Sequence, residues 1–488
     1  MTDAGPPTRP AAPLPGASDT IAAIATAPGR GAIAMLRVSG PDAHAIARRV
    51  VSPWPVLERV ATLARCRHPH TDETLDQAMI TVFAAPRSFT GEPMVELTTH
   101  GGLLVPAAVL AALLAAGARQ ALPGEFTRRA VLAGKLDLLQ AEAAADLVDA
   151  RSHAMHRAAI EQLDGGLSRR VLALRDRILD LEALIAYDID FPEEDEGPVP
   201  RERIARAIAD AREAVASLLA TAPTGALVRE GALVVIAGEP NAGKSSLFNA
   251  LLGERRAIVT EIPGTTRDAL EAVVDAGRWP LRLVDTAGLR ESGDVVERLG
   301  IEVSERYLGR AEVVLACGET RAARRRVLGR LLDGARARPD SPIVVVPTKA
   351  DHAAFEPPDD EERRALADAD AARRAAGAAP IRLASPASAE HGEGLAALLD
   401  TLAALLDAGH VPPAPDAPLL TRERHRLALD VAHVELAAFE EAWRAGALPA
   451  TVAAVHLRAG VGALEELVGA VDVEDVLERV FRSFCVGK

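Results

Sequence analysis

The sequence predicts a multidomain protein that combines α/β and all-α parts. It has an N-terminal α/β domain and a helical bundle domain, and a domain with a doubly wound, mostly parallel sheet is inserted in the bundle. Three observations predict this. From about residue 231, short apolar runs alternate with helical segments, the pattern of parallel strands joined by crossover helices. Between 136 and 220, apolar residues recur by four and three, the period of a helix with one buried face. After a linker at 410–418 the sequence reads as helical again, so helical segments flank the α/β region on both sides.

Residues 1–19 are rich in Pro, Ala and Gly and have no apolar core, so they read as a disordered tail and not a signal peptide. Residues 20–135 form the N-terminal domain. There "TIAAIATA" (20–27), "IAMLRVSG" (33–40), "MITVFAA" (79–85) and "MVELTT" (94–99) read as strands bounded by Gly and Pro. The run "LLVPAAVLAALLAAGA" (103–118) is too short for a membrane span and contains Pro106, so it reads as a core helix, and no membrane association is expected. Residues 136–230 are the first part of the helical domain. Leu167, Val171, Leu174, Ile178, Leu181 and Ile185 mark the buried stripe of a long helix. The acidic run "FPEEDEG" (191–197) reads as a solvated loop, with a metal site as the alternative. Residues 231–409 hold five strand-like runs: "ALVVIAG" (232–238), "LRLVDTAG" (281–288), "VVLAC" (313–317), "IVVVPT" (343–348) and "IRLAS" (381–385). Residues 410–488 are the second helical part.

The chain of 488 residues carries a formal charge of −14, which argues against whole-surface attraction to nucleic acid or anionic lipid while leaving room for a local Arg patch. The Arg-rich run 321–330 reads as a solvated helix face, with contact to RNA or a protein partner as the alternative. Three well-separated cysteines, Cys66, Cys317 and Cys485, suggest a reducing cytoplasm and no disulfide framework.

The motifs of the inserted domain carry the chemistry. "GEPNAGKS" (238–245) follows a strand and precedes an apolar helix, the context in which G-x-x-x-x-G-K-[ST] cradles phosphates on backbone N–H groups. It supplies Asn241, Ala242, Gly243, Lys244, Ser245 and Ser246. Lys244 reaches the β- and γ-phosphates as a compact charge, and Ser245 is a hard-oxygen ligand for Mg²⁺. A loop of Thr260, Glu261, Ile262, Pro263, Gly264, Thr265 and Thr266 follows, with Thr266 as the second magnesium ligand. Asp285, Thr286, Ala287 and Gly288 end a strand, with the Gly288 N–H expected at the γ-phosphate and Asp285 at a magnesium-bound water. Thr348, Lys349, Ala350 and Asp351 end another. There Asp351 accepts from guanine N1 and N2, and the Lys349 stem covers the base. Ser388, Ala389 and Glu390 place backbone N–H groups near guanine O6. In this order on these elements the motifs indicate a guanine-nucleotide hydrolase. Thr348 stands where such proteins usually have Asn, so part of the base contact is expected to be weaker. Leu289 stands where many GTPases carry a water-orienting Gln, which leaves Arg290, Glu291, Asp294 and Glu297 as nearby substitutes.

The set "GEPNAGKSSLFNAL", "PGTTRD", "DTAGLRE…VERLGIE", "PGRGAIAMLRVSG", "SFTGE", "PGEFTRRA", "GKLDLLQAEA" and the terminal "CVGK" resembles the tRNA uridine-5-carboxymethylaminomethyl modification GTPase family (MnmE, also called TrmE) over about residues 20–488. The resemblance implies a folate-binding and dimerisation domain at the N-terminus, and a potassium-stimulated TrmE-type G domain inserted in the helical domain. It implies a homodimer that joins a flavin-dependent MnmG (GidA) partner in a heterotetramer acting on the wobble uridine of certain tRNAs. Glu297 matches the family's water-positioning carboxylate, with Lys244 and Gly288 as its catalytic companions. Asn241, Thr260, Ile262 and Thr265 match the potassium ligands. Arg37, Glu96, Lys135 and Lys488 match contacts to 5-formyltetrahydrofolate or a related tetrahydrofolate. Cys485 is either a nucleophile or a packing residue. The only lysines among 55 Lys and Arg are Lys135, Lys244, Lys349 and Lys488; two fall in nucleotide motifs and two on expected folate contacts. A ribosome-assembly or RNA-binding GTPase switch is the alternative function; such proteins usually carry a basic module, and none is evident here.

Overall fold

A computed structural model describes residues 19–55, 57–190, 200–254, 270–285, 306–333, 338–411, 418–445, 450–469 and 487. The chain divides into two compact units, Met1–Ala145 with Val468–Lys488, and Asp146–Leu467.

The first unit is built on a seven-stranded sheet in the order β3-β4-β5-β6-β2-β1-β7. Its strands are β1 (Ile21–Ile24), β2 (Ile33–Ser39), β3 (Val51–Ser52), β4 (Thr62–Arg67), β5 (Thr74–Phe83), β6 (Met94–His100) and β7 (Arg119–Gln120). All neighbours are antiparallel except β1 and β7. The helices are α1 (Ala43–Arg48), α2 (Leu104–Ala115), α3 (Glu125–Leu132) and the start of α4 (Leu138–Asp149). Side chains alternate across a strand, so Leu36, Val38, Val95 and Leu97 enter a core shared with Ile46, Val109 and Leu113, while Arg37 and Glu96 face away from it. Pro106 lies in the first turn of α2, where no intrahelical N–H bond is lost. A buried polar network ties the unit's loops together. Arg129 bonds Glu125, Glu92 and the Asp19 carbonyl, and Arg119 bonds Glu125 from the other side. Burial alone would raise the Glu125 carboxyl, but hydrogen bonds from Arg119, the Leu122 N–H and Arg129 outweigh it and hold it below the usual carboxylate range.

The second unit begins with α5 (His153–Leu163), α6 (Gly166–Asp190), α7 (Arg201–Leu219) and α8 (Ala222–Glu230). All six residues of the predicted α6 stripe are buried. The α/β layer follows, with β8 (Ala232–Gly238), α9 (Lys244–Glu254), β9 (Leu270–Ala276), β10 (Trp279–Asp285), β11 (Val313–Gly318), α10 (Arg321–Leu332), β12 (Ile343–Pro347), α11 (Asp360–Ala375), β13 (Ile381–Leu383) and α12 (Leu395–Gly409). The chain closes with α13 (Glu423–Ala445) and α14 (Ala450–Val468). Segments before β8 and after α12 are stitched together: Gln162 donates to the Leu419 carbonyl at 2.7 Å, the Leu420 N–H donates to Thr221, and Arg422 and Arg229 share Asp146.

The sheet runs β13-β12-β11-β8-β10-β9, parallel except for β9, which pairs antiparallel with β10. Helices cover both faces. Leu247, Phe248 and Leu251 of α9 and Leu398 and Leu402 of α12 pack with Val234, Ile236 and Leu315. Val327, Leu328 and Leu331 of α10 pack with Val235, Val314 and Val345. The sequence reading did not identify β9. Its inner face buries Ala272, Val274 and Ala276, an alternation weakened because Val273 on the other face is buried too, and the β9–β10 turn is closed by the Gly277 N–H donating to Asp275. Among the described residues no helix is long and apolar enough to cross a membrane.

One member of the Arg-rich run is not on a solvated face. The Arg324 side chain is fully buried and bonds Glu362 with two nitrogens at 2.8 and 2.6 Å, and it also donates to the Glu319 and Glu356 carbonyls. Arg325, Arg326 and Arg330 stay largely exposed. Removing one partner of a buried pair strands the other, at about 3–5 kcal/mol. Arg324→Met should lower stability by about that amount in urea unfolding followed by circular dichroism, while Arg325→Met should leave the transition in place.

Candidate functional site

β8 is apolar and buried along its length until Gly238, where the chain leaves the sheet and turns into α9. Asn241 adopts φ +63° and Gly243 φ +82°, so the turn passes twice through the left-handed region. The Ala242 N–H donates to the Glu239 carbonyl and the Leu247 N–H to the Gly243 carbonyl. Lys244 is 5% exposed, and its ammonium donates to the Glu239 carbonyl at 2.8 Å. The Ser245 hydroxyl donates to Asp285 Oδ2 at 2.5 Å, at the C-terminal end of the neighbouring strand β10. A hydroxyl and a carboxylate oxygen converging beside a phosphate turn are the hard donors a small divalent cation takes. The Glu239 side chain makes a two-pronged pair with Arg326, 2.9 Å on each side. The Arg326 bond leads in holding this carboxyl below its ordinary range.

The second half of the site lies at the ends of β12 and β13. Thr348 is buried, and its hydroxyl donates to the Ala242 carbonyl at 2.7 Å. The side chain expected to make a weakened base contact is thus turned to the phosphate loop. Lys349 follows with φ +57°, rare for a residue with a side chain. The Ala350 N–H donates to the Ala387 carbonyl. Ser388 is fully buried. Its hydrogen bond leads in lowering the Asp351 carboxyl, followed by the backbone N–H of Asp351 itself and the nearby His391 and His352. These residues frame a pocket of about 230 Å³ lined by Gly243, Leu247, Thr348, Lys349, Asp351, His352, Ala389 and Glu390, among others.

The structure therefore brings together Asn241 through Ser246, Asp285, Thr348 through Asp351, and Ser388 through Glu390. Thr260, Glu261, Ile262, Pro263, Gly264, Thr265, Thr266, Thr286, Ala287, Gly288, Glu297, Cys485 and Lys488 lie outside the described residues, as does the acidic run 191–197. Two pocket-side residues escaped the sequence reading. His352 directly follows the T-K-A-D motif, and Glu319 sits just past β11 with no motif to mark it. Among the described residues no group of three or more His, Cys, Asp or Glu could hold a metal ion by itself.

In the first unit Arg37 and Glu96 face each other across β2 and β6 and pair at 3.0 Å, each about one-fifth exposed. The Arg37 guanidinium lies 5.5 Å from the centre of the Phe89 ring. Lys135 is exposed, and its ammonium donates to the Pro86 carbonyl at 3.1 Å. All three therefore gather around the loop 86–92. Gly487 sits against β1: a Cβ there would come within 2.4 Å of the Ile24 carbonyl oxygen, and its φ is +96°. Only glycine fits both the backbone angle and the approach.

Replacing Thr348 with Val keeps the shape but leaves the buried Ala242 carbonyl without this donor, a loss of about 1–3 kcal/mol. Calorimetric titration with GDP should show Thr348→Val binding at least about fivefold more weakly and Thr348→Ser close to the parent chain.

Comparison with known proteins bears on the whole chain. The sequence profile "MnmE helical domain" matches residues 138–485, and "GTP-binding protein TrmE N-terminus" matches 20–135. A protein of Heliobacterium modesticaldum named "tRNA modification GTPase MnmE" is 41% identical over 96% of this chain and 99% of its own length. Proteins of the same name from Azoarcus sp. (43% identical, 98% of this chain and 100% of theirs) and Moorella thermoacetica (39%, 96% and 99%) match likewise. Among solved structures, the G domain of the T. maritima FeoB iron transporter matches 36% of this chain and 98% of that one at 23% identity, with a TM-score of 0.22. On the two profiles and these full-length relatives, the chain belongs to the MnmE family.

Proposed function

We propose that this GTP hydrolase acts in tRNA modification. With a flavin-dependent partner of the MnmG (GidA) type it adds a carboxymethylaminomethyl or aminomethyl group at C5 of the wobble uridine of certain tRNAs, using a one-carbon unit from 5-formyltetrahydrofolate or a related tetrahydrofolate. The observation that carries the reading is the convergence of the phosphate turn, Asp285 and the T-K-A-D strand end on one edge of the sheet. The names and full-length match of the relatives supply the substrate class.

Within that reading Lys244 binds the β- and γ-phosphates, and the N–H groups of the turn cradle them. Ser245 and Thr266 would hold Mg²⁺, with Asp285 on a bound water; the hydroxyl–carboxylate contact at 2.5 Å supports this donor set. When bound, Mg²⁺ and K⁺ neutralise charge on the phosphoryl oxygens. Asn241, Thr260, Ile262 and Thr265 would hold K⁺, and the exposed, left-handed Asn241 at the mouth of the turn is compatible with a ligand role. Glu297 positions the attacking water, and the Gly288 N–H meets the γ-phosphate. Asp351 reads the guanine edge.

Arg37, Glu96, Lys135 and Lys488 would bind the folate. The gathering of the first three around loop 86–92, and the seat of Gly487 on β1, support this. Leu63 and Met79 are cross-strand partners and both exposed, which favours a second copy of the chain and so the homodimer. The heterotetramer and a cytoplasmic location complete the proposal.

Nucleoside analysis of tRNA from cells lacking the chain should show the C5 modification missing from wobble uridines; an unchanged profile sinks the reading. GTP turnover should rise when K⁺ replaces Na⁺, and Asn241→Ala should remove that response. Equal rates of the parent chain in both salts would refute the ligand assignment.

A further inference from the structure

We propose that Glu319 is a positioning residue of the purine pocket, its single carboxylate clasping Lys349 and His352 on the pocket wall. The inference rests on the guanine reading given above.

Glu319 stands one residue past β11, with its side chain 18% exposed. Its Oε2 accepts from the Lys349 ammonium at 3.1 Å, and its Oε1 accepts from His352 Nδ1 at 2.5 Å. Both partners line the pocket, one on either side of Asp351 in the chain. The Lys349 bond, followed by the His352 bond, holds the Glu319 carboxyl below its ordinary range, so it stays ionised near neutral pH.

The clasp matters because Lys349 is in a backbone conformation that persists only when its surroundings impose it. Three contacts do so. The His352 N–H closes a turn onto the Lys349 carbonyl at 2.9 Å, the Ala350 N–H bonds Ala387, and Glu319 fixes the far end of the side chain. The Lys349 stem is then laid along the phosphate turn, so that a Cβ on Gly243 would meet Lys349 Cγ at 3.4 Å. Glu319 is itself on a firm footing. Its carbonyl accepts from the buried Arg324 at 3.0 Å and from the Glu356 N–H at 3.3 Å. The chain of support thus runs from the buried Arg324 to the backbone of Glu319, and from its carboxylate to the base wall. Lys244 and Ser245, which serve the phosphates, bond the Glu239 carbonyl and Asp285.

Loss of the carboxylate frees the Lys349 ammonium and the His352 ring while leaving the phosphate turn intact. Binding should weaken with little change in the chemical step. In the full chain, Glu319→Ala should raise the Kd for GDP and the KM for GTP about tenfold, the scale of a lost charge-assisted hydrogen bond. The kcat at saturating GTP should stay within about twofold, and the preference for GDP over ADP should fall. Glu319→Gln keeps an acceptor oxygen and the volume, so it should show an intermediate loss. Parental Kd and KM in the Ala variant would overturn the proposal. So would an equal fall in kcat and kcat/KM in both variants, accompanied by a lowered melting temperature, which marks a structural role. A parent chain that binds ADP as well as GDP would instead refute the guanine reading itself. A parent that prefers GDP beside an unaffected Ala variant removes only Glu319.

Discussion

The second unit depends on one constraint: the central strands of its sheet are covered on both faces. β8 is buried up to Gly238 and β11 and β12 throughout, and a strand with two dry faces has no place for a polar side chain along its length. Polar groups therefore appear where the strands stop. Lys244 follows β8 by a short turn, Asp285 ends β10, Glu319 follows β11, and Thr348 follows β12. Because these strands are parallel, their ends fall on one edge, and the residues excluded from the interior are gathered into one site. The same packing that stabilises the layer concentrates its chemistry.

The site is held in shape by bonds that do not involve a ligand. The buried ammonium of Lys244 has a carbonyl partner, Ser245 has Asp285, and Thr348 pins the turn from the side. Such satisfaction is required wherever polar groups are shielded from water. The first unit shows the opposite regime. Its mostly antiparallel sheet is covered by α1 and α2 on one face, and Arg37 and Glu96 lie on the other, partly shielded and paired. A partly exposed ion pair of this kind contributes little to stability.

The two regimes explain which parts of the structure were legible in the sequence. The central strands β8, β11 and β12 read as apolar runs because both faces are dry, and the α6 stripe read as period four and three because one face is. β9 did not, since an edge strand needs only three small or medium side chains on its inner face. In the first unit β3 and β7 have two residues each and leave no periodic signal. Lys244, Ser245, Asp285 and Asp351 stood out in the sequence because their motifs put a given residue type at a fixed spacing, and the structure places them at the C-terminal ends of the strands. The hydroxyl of Thr348 was assigned to the base, and its orientation toward Ala242 was not readable, since sequence names a side chain but not its rotamer. Arg324 looked like its solvated neighbours for the same reason: one turn of helix decides which arginine of a run meets Glu362. Glu319 carried no spacing signal at all, because its partners reach it only through the fold.

Gly487 bears on how the molecule is made. It lies against Ile24, almost the full length of the sequence away, within a unit whose other part ends at Ala145. A ribosome delivers the N-terminus first, and the sheet of the first unit can pair early. Gly487, which seats on Ile24, is translated after the whole of the second unit. The first unit therefore gains its contact at Ile24 only after the second unit, Asp146–Leu467, has been made.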